Sequence, residues 1–145
     1  MKAALATEVR AGDQTVSLDK KNLDINTIHN FLTNSYWAKG ITKEKVKKCI
    51  DNSICFGMYD SGKLIGFARV VTDFCRFAYL MDVFIIDSYR KQGLSVKLLK
   101  EIFSHPDLKK VSRWMLATTQ LRVVDSYRSH QHVIEPPCVP PLGRL

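Results

Sequence analysis

The chain has 145 residues, 46% of them hydrophobic and 25% charged, which bounds it to one ordinary globular domain spanning residues 1–145. No apolar run reaches the ~20 residues that span a bilayer. The opening "MKAALATEVR" carries too short an apolar patch for a secretory leader, so a cytoplasmic location without a membrane partner is expected. The formal net charge of +8 favours polyanionic partners, whether nucleic acid, a membrane surface or a small phosphorylated ligand.

Residues 1–21 read as weakly structured, with one strand at most. "NLDINTIHNFLTNS" places Ile25, Ile28, Phe31 and Leu32 at helical intervals behind Asp24 as N-cap. "ITKEKVKKCIDNS" is a second helix, capped by Thr42, with Val46, Cys49 and Ile50 on one face and a solvated lysine face opposite. "SICFGMY" and "LIGFARVV" flank the turn "DSGK" as a β-hairpin. "FAYLMDVFII" is apolar on both faces except at Asp82, as suits a central strand. After a loop, Leu94, Leu98, Leu99, Ile102 and Phe103 form one helical stripe that Pro106 forbids from continuing, and "VSRWMLATT" is a further strand. The order implies a mixed α/β domain, with the strands on either side of the last helix parallel. Residues 120–145 change character: four prolines fall between Pro136 and Pro141, and the segment reads as an irregular tail.

The four cysteines, Cys49, Cys55, Cys75 and Cys138, form no CxxC pair, and His29, His105, His130 and His132 lie at no ligand spacing. Free buried thiols in a reducing compartment and no metal are the expectation.

The loop Arg90-Lys91-Gln92-Gly93 lies between an apolar strand and an apolar-striped helix, with Ser95 also at the helix mouth. A helix N-terminus offers unpaired N–H groups and partial positive charge, and anions collect there. Gly93 permits unusual φ angles, and Arg90 and Lys91 add positive charge. A diphosphate fits this loop. The spacing is neither that of a phosphate-binding loop of nucleotide hydrolases nor that of a dinucleotide fingerprint.

"RKQGLS" at Arg90–Ser95 resembles the (Q/R)xxGx(G/A) signature of the GNAT superfamily of N-acetyltransferases, and "LMDVFII" before it resembles that family's acetyl-CoA strand. The likeness to small bacterial GNAT proteins runs collinearly over roughly residues 22–119. The resemblance implies the GNAT fold, a central, mostly antiparallel mixed sheet flanked by helices. It implies acetyl-CoA as co-substrate and an amine acceptor, on a small molecule or peptide, that attacks directly without a metal.

The resemblance further implies that the backbone N–H groups of Gln92, Gly93, Leu94 and Ser95 hold the pyrophosphate, beside Arg90 and Lys91. Val83, Phe84 and Ile85 would run beside the pantetheine arm, with the N–H near Phe84 or Ile85 polarising the thioester carbonyl. Tyr36 and Trp37 are either core anchors or walls of the acceptor pocket, and the resemblance favours the pocket. Asp82 is either a base or amine anchor, or a structural hydrogen-bond partner. For Arg69 and Asp73 a surface ion pair is preferred over a place in the pocket.

Ser95 stands where the family has a small Gly or Ala. After Thr119 the family's Gly-Leu-Tyr and Phe-Gly-Phe-like stretches are not matched, and Tyr127 is the only nearby tyrosine to protonate a departing thiolate. That departure motivates a second reading, a CoA-binding sensor or interaction module with little catalysis. A basic nucleic-acid-binding domain is motivated by charge alone and is not expected. Either a monomer or a homodimer fits.

Overall fold

The computed structural model describes residues 8–116. The chain starts with a hairpin of β1 (Glu8–Ala11) and β2 (Gln14–Ser17), then folds into α1 (Ile25–Thr33) and α2 (Lys43–Asp51). Strands β3 (Ile54–Asp60), β4 (Lys63–Thr72) and β5 (Phe77–Ile85) follow, then α3 (Leu94–Ser104) and β6 (Arg113–Leu116). The six strands form one sheet in sequence order, antiparallel throughout except where β5 and β6 pair in parallel around α3. The architecture is the mixed, mostly antiparallel α/β arrangement expected.

The N-terminal hairpin corrects the expectation of one strand at most. Gly12, at φ +70°, opens a two-residue connection between Ala11 and Gln14, which face each other across the ladder. A glycine first in such a connection matches the twist of the flanking strands. The strands were easy to overlook because they are only four residues long and largely polar.

Helices cover both faces of the sheet. On one face α3 packs Leu98, Leu99 and Ile102 against Phe56, Met58, Ile65 and Leu80. On the other, Ile28 and Leu32 of α1 and Val46 and Ile50 of α2 meet Cys55, Leu64, Phe67 and Phe84. Period-2 alternation sends neighbouring residues such as Leu64 and Ile65 to opposite cores. The helix starts follow the caps read from the sequence. Asp24 accepts from the N–H groups of Asn26 and Thr27, and the Thr42 hydroxyl accepts from Lys45 N–H.

Strand β5 carries the irregularity that shapes the site. Phe67 faces Phe84 and Arg69 faces Met81, so two residues of β4 separation are matched by three in β5. This is a β-bulge, with Asp82 in the left-handed region at φ +53°. Aspartate tolerates that conformation better than most residues. Because of the bulge, the consecutive residues Met81 and Asp82 border one groove, which regular alternation would forbid.

The cysteine expectation holds in part. Cys49, Cys55 and Cys75 are free thiols, but only Cys55 is buried and Cys75 is exposed. Cys75 sits in the short β4–β5 connection beside the exposed Phe74, outside both cores. The irregular tail expected over 120–145 lies outside the described residues, and so do Cys138 and Tyr127.

Candidate active site

The site begins where β5 ends. Beyond Ile86 a single 3₁₀ turn, Asp87–Tyr89, leads to Arg90 and then to two left-handed residues, Lys91 at φ +66° and Gly93 at φ +73°. Gly93 is the N-cap of α3 and offers no side chain, and the first helical bond runs from Lys97 N–H to the Gly93 carbonyl. The amides of Leu94, Ser95 and Val96 therefore precede the helical ladder. Left-handed residues next to a helix mouth turn successive N–H groups into an anion-binding concavity. A Cβ added at Gly93 would meet nothing within 4 Å, so its glycine is required by φ while the space above it stays open.

The same loop closes one end of a cleft of about 260 Å³ lined by Val83, Phe84, Ile85, Arg90, Lys91, Gly93, Leu94 and Ser95. The last three positions of β5, Val83, Phe84 and Ile85, bring the C-terminal end of the strand to the cleft wall. Gly66 faces Ile85, and Ile86 N–H donates to the Ile65 carbonyl at 2.9 Å. That pattern marks Gly66 and Ile85 as a non-hydrogen-bonded pair, so Ile85 turns its own N–H and carbonyl away from β4. Arg90 Nε donates to that carbonyl at 3.2 Å, as the direction requires. A Cβ at Gly66 would lie 2.6 Å from Ile85 Cδ1 and 3.3 Å from both Met58 Cβ and the Phe84 carbonyl, so a side chain there would force these neighbours to shift.

Aromatic rings floor the cleft. Phe31 of α1 stacks on Phe84 with centroids 3.9 Å apart, and the Arg90 guanidinium lies 5.7 Å above the Phe31 ring. Tyr89 is anchored by its hydroxyl, which donates to Asp60 Oδ2 at 3.0 Å. Donating that proton in a hydrogen bond to a carboxylate raises the Tyr89 pKa.

Trp37 separates this cleft from a second, more open groove of about 580 Å³, bounding both. Its indole N–H donates to Asp82 Oδ1 at 3.0 Å. Arg69 Nε donates to Asp82 Oδ2 at 2.6 Å and a second Arg69 nitrogen donates to Ser53 Oγ at 3.0 Å. The Arg69 and Asp82 side chains are only 11% and 9% exposed, so this ion pair is largely desolvated and its hydrogen bonds are short and charge-assisted. Both oxygens of Asp82 are thereby engaged.

Comparison with known proteins bears on this geometry. The family model described as Acetyltransferase (GNAT) family matches residues 25–131, well over half of the chain. The chain belongs to the GNAT acetyltransferase family. The match runs past Thr119, where likeness was read from the sequence as ending. A GNAT-family protein of Xanthomonas campestris pv. campestris, known from its crystal structure, is 36% identical, superposes with a TM-score of 0.78 and covers 89% of each chain. A Gibberella zeae protein named as an acetyltransferase, FG08082, is 27% identical over 74% of this chain and 73% of its own. A GNAT family acetyltransferase of Elizabethkingia anophelis, solved with acetyl-CoA bound, shares the fold at 14% identity and a TM-score of 0.62, covering 79% of this chain and 74% of that one.

Within the GNAT fold, most residues singled out from the sequence do converge. Eight of the nine named for the cofactor line the first cleft; Gln92, exposed, is not in its wall. Tyr36 and Trp37 are 59% and 41% exposed and border the second groove, so they are not core anchors. The expected surface pair of Arg69 with Asp73 is wrong. Asp73 instead accepts from the N–H groups of Cys75, Arg76 and Phe77, while Arg69 reaches thirteen positions along the chain to Asp82. An acid in a tight turn finds backbone donors close by, whereas a largely desolvated arginine needs a full carboxylate. Phe31 and Tyr89 were not foreseen in the site. Phe31 was read as core, and its neighbour in space, Phe84, is fifty-three positions away.

Among the described residues no group of His, Cys, Asp and Glu could hold a metal ion, and no helix is long and apolar enough to cross a membrane.

Proposed function

We propose that this GNAT protein transfers the acetyl group of acetyl-CoA to a primary amine, on a small molecule or a peptide, by direct attack. The observation that carries the reading is the open mouth of α3 at Gly93, continuous through one cleft with the outward-facing Ile85. The residues fit the group. The leading amides of α3, with Arg90 and Lys91 beside them, suit a doubly charged pyrophosphate. The edge of β5 at Val83 and Ile85 suits the amides of the pantetheine arm.

Acetyl-CoA supplies an acyl group activated as a thioester. With acetyl-CoA bound, the outward-facing Ile85 N–H would supply a hydrogen bond to the thioester oxygen, where negative charge would grow as nitrogen adds to carbon and the carbon–sulfur bond breaks. Of the two candidates read from the sequence, Ile85 is favoured over Phe84, whose N–H the alternation turns towards β4. If a pantetheine amide were to bond the Ile85 carbonyl, it would replace the Arg90 Nε contact made there. Asp82, with both oxygens engaged, acts in this reading as a positioning residue that holds Trp37 between donor and acceptor. A role as the base that strips the ammonium is disfavoured by the same two bonds. Tyr127, proposed to protonate the leaving thiolate, lies outside the described residues. The free thiols of Cys49, Cys55 and Cys75 agree with a cytoplasmic location, as monomer or homodimer.

Calorimetry with acetyl-CoA tests the loop. Reversing both charges (Arg90→Glu with Lys91→Glu) is expected to weaken binding at least about tenfold, as loss of two partly exposed charge-assisted contacts predicts. Unchanged affinity would remove the loop from the site. Thiol release over an amine panel tests turnover. Binding without release above the hydrolysis background would favour the CoA-binding module suggested by the divergent sequence after Thr119.

A further inference from the structure

The groove on the far side of Trp37 has a charge balance that an acceptor must satisfy. Its wall holds three cations, Lys39, Lys45 and Arg69, against one acid, Asp82. Arg69 and Asp82 neutralise each other in their buried pair. Lys39 and Lys45 remain, both exposed, and neither is in an ion pair among the described residues. Lys45 also stands in the first turn of α2, where the helix dipole opposes a cation and only Glu44 offsets it. Neither lysine contributes to either core. The fold therefore holds two positive charges without an ion-pair partner among the described residues around a groove whose remaining lining includes Tyr36, Trp37, Ile41 and Met81.

We infer that the groove selects an acceptor amine that also carries an anionic group, a carboxylate or a phosphate, which Lys39 and Lys45 bind while the amine points past Trp37 towards the cleft. This rests on the acetyl-transfer reading above and names its acceptor class. Polyamines and lysine-rich peptides are repelled by the same charges. The cations also disfavour the ammonium form of a bound amine, so more of it is the neutral nucleophile at a given pH. The groove thereby supplies part of what a dedicated base would do, in a site where Asp82 is already engaged.

Matched pairs test the inference on the full chain: leucine against isoamylamine, and glucosamine 6-phosphate against glucosamine. The carboxylate and phosphate arms separate the two anionic chemistries. Thiol release with acetyl-CoA gives kcat/KM for each. Quenching of tryptophan fluorescence gives binding without turnover, because of the two tryptophans Trp114 is 3% exposed and Trp37 is 41%. The anionic member of at least one pair should be preferred about tenfold. Lys39→Gln with Lys45→Gln should bring that ratio near parity while leaving acetyl-CoA affinity unchanged, in keeping with two exposed charge contacts. Parity in the wild type, preference for the neutral member, or a ratio the double variant does not move would overturn the inference. So would acetyl-CoA binding with no anionic amine either acetylated or quenching. Selective quenching by anionic amines without any acetyl-CoA binding would instead overturn the transfer reading and leave the groove's selectivity standing.

Discussion

Asp82 does three things at once: it takes the left-handed angle of the bulge, binds Arg69 and receives the Trp37 indole. Its two candidate roles predict different behaviour on substitution. Asp82→Ala strands the largely buried Arg69 charge, and the expected loss is about 3 kcal/mol in denaturant unfolding. Asp82→Asn keeps an acceptor for one partner and should lose less stability. If the carboxylate only positions Trp37, Asp82→Asn retains turnover with a raised KM and an unshifted pH profile. If it is the base, turnover falls by two orders of magnitude or more and the acid-side limb of the profile changes. From the sequence, the lone acid in an apolar strand was a legible signal that something unusual happens at position 82. Its partner was not legible, because Arg69 lies closer along the chain to Asp73 than to Asp82. Only the register of β4 on β5 decides between them.

The helices and their starts were the most readable elements, since caps and apolar stripes are local chemistry. Asp24 illustrates this. Its carboxylate accepts from the Thr27 hydroxyl at 2.8 Å and from two backbone N–H groups, and these bonds, the Thr27 hydroxyl first, hold its pKa below the usual 3.8. A folded-state pKa below the unfolded one contributes stability that is present above about pH 3.8. That contribution is lost as pH falls through the lower folded-state value. Asp24→Ala should therefore cost about 1 kcal/mol near neutral pH, and the difference from wild type should shrink below pH 3.8 in acid titrations of unfolding. A constant difference down to pH 2 would contradict the cap. The bulge in β5 and the hairpin of β1 and β2 were less readable. A bulge is a property of two strands together, and four-residue polar strands owe their order to β3, which lies beside β2.

At the scale of the whole molecule, two cores on opposite faces of one sheet make burial a sharp sorter of chemically identical groups. Cys55 lies in the core beneath α1 and α2, where burial pushes its thiol up to about 11, while Cys75 is exposed on a connection. Pulse alkylation at pH 8 read by mass spectrometry should label Cys75 rapidly and Cys55 only on global unfolding, because the thiolate is the reactive form. Equal labelling in the native protein would mean that this core opens locally. Composition could not foresee this partition, since it counts cysteines without placing them.

The extra residue in β5 has a consequence for how such a protein can change. On its N-terminal side the strand brings Met81 to the wall of the open groove, and on its C-terminal side it brings Ile85 to the wall of the cleft at the mouth of α3. The two half-sites thus hang from one strand yet are out of phase with each other. Under the acetyl-transfer reading proposed above, replacements along the open groove would retune which molecule is modified without disturbing how the donor is gripped, so a single backbone irregularity would make new specificity accessible through few substitutions.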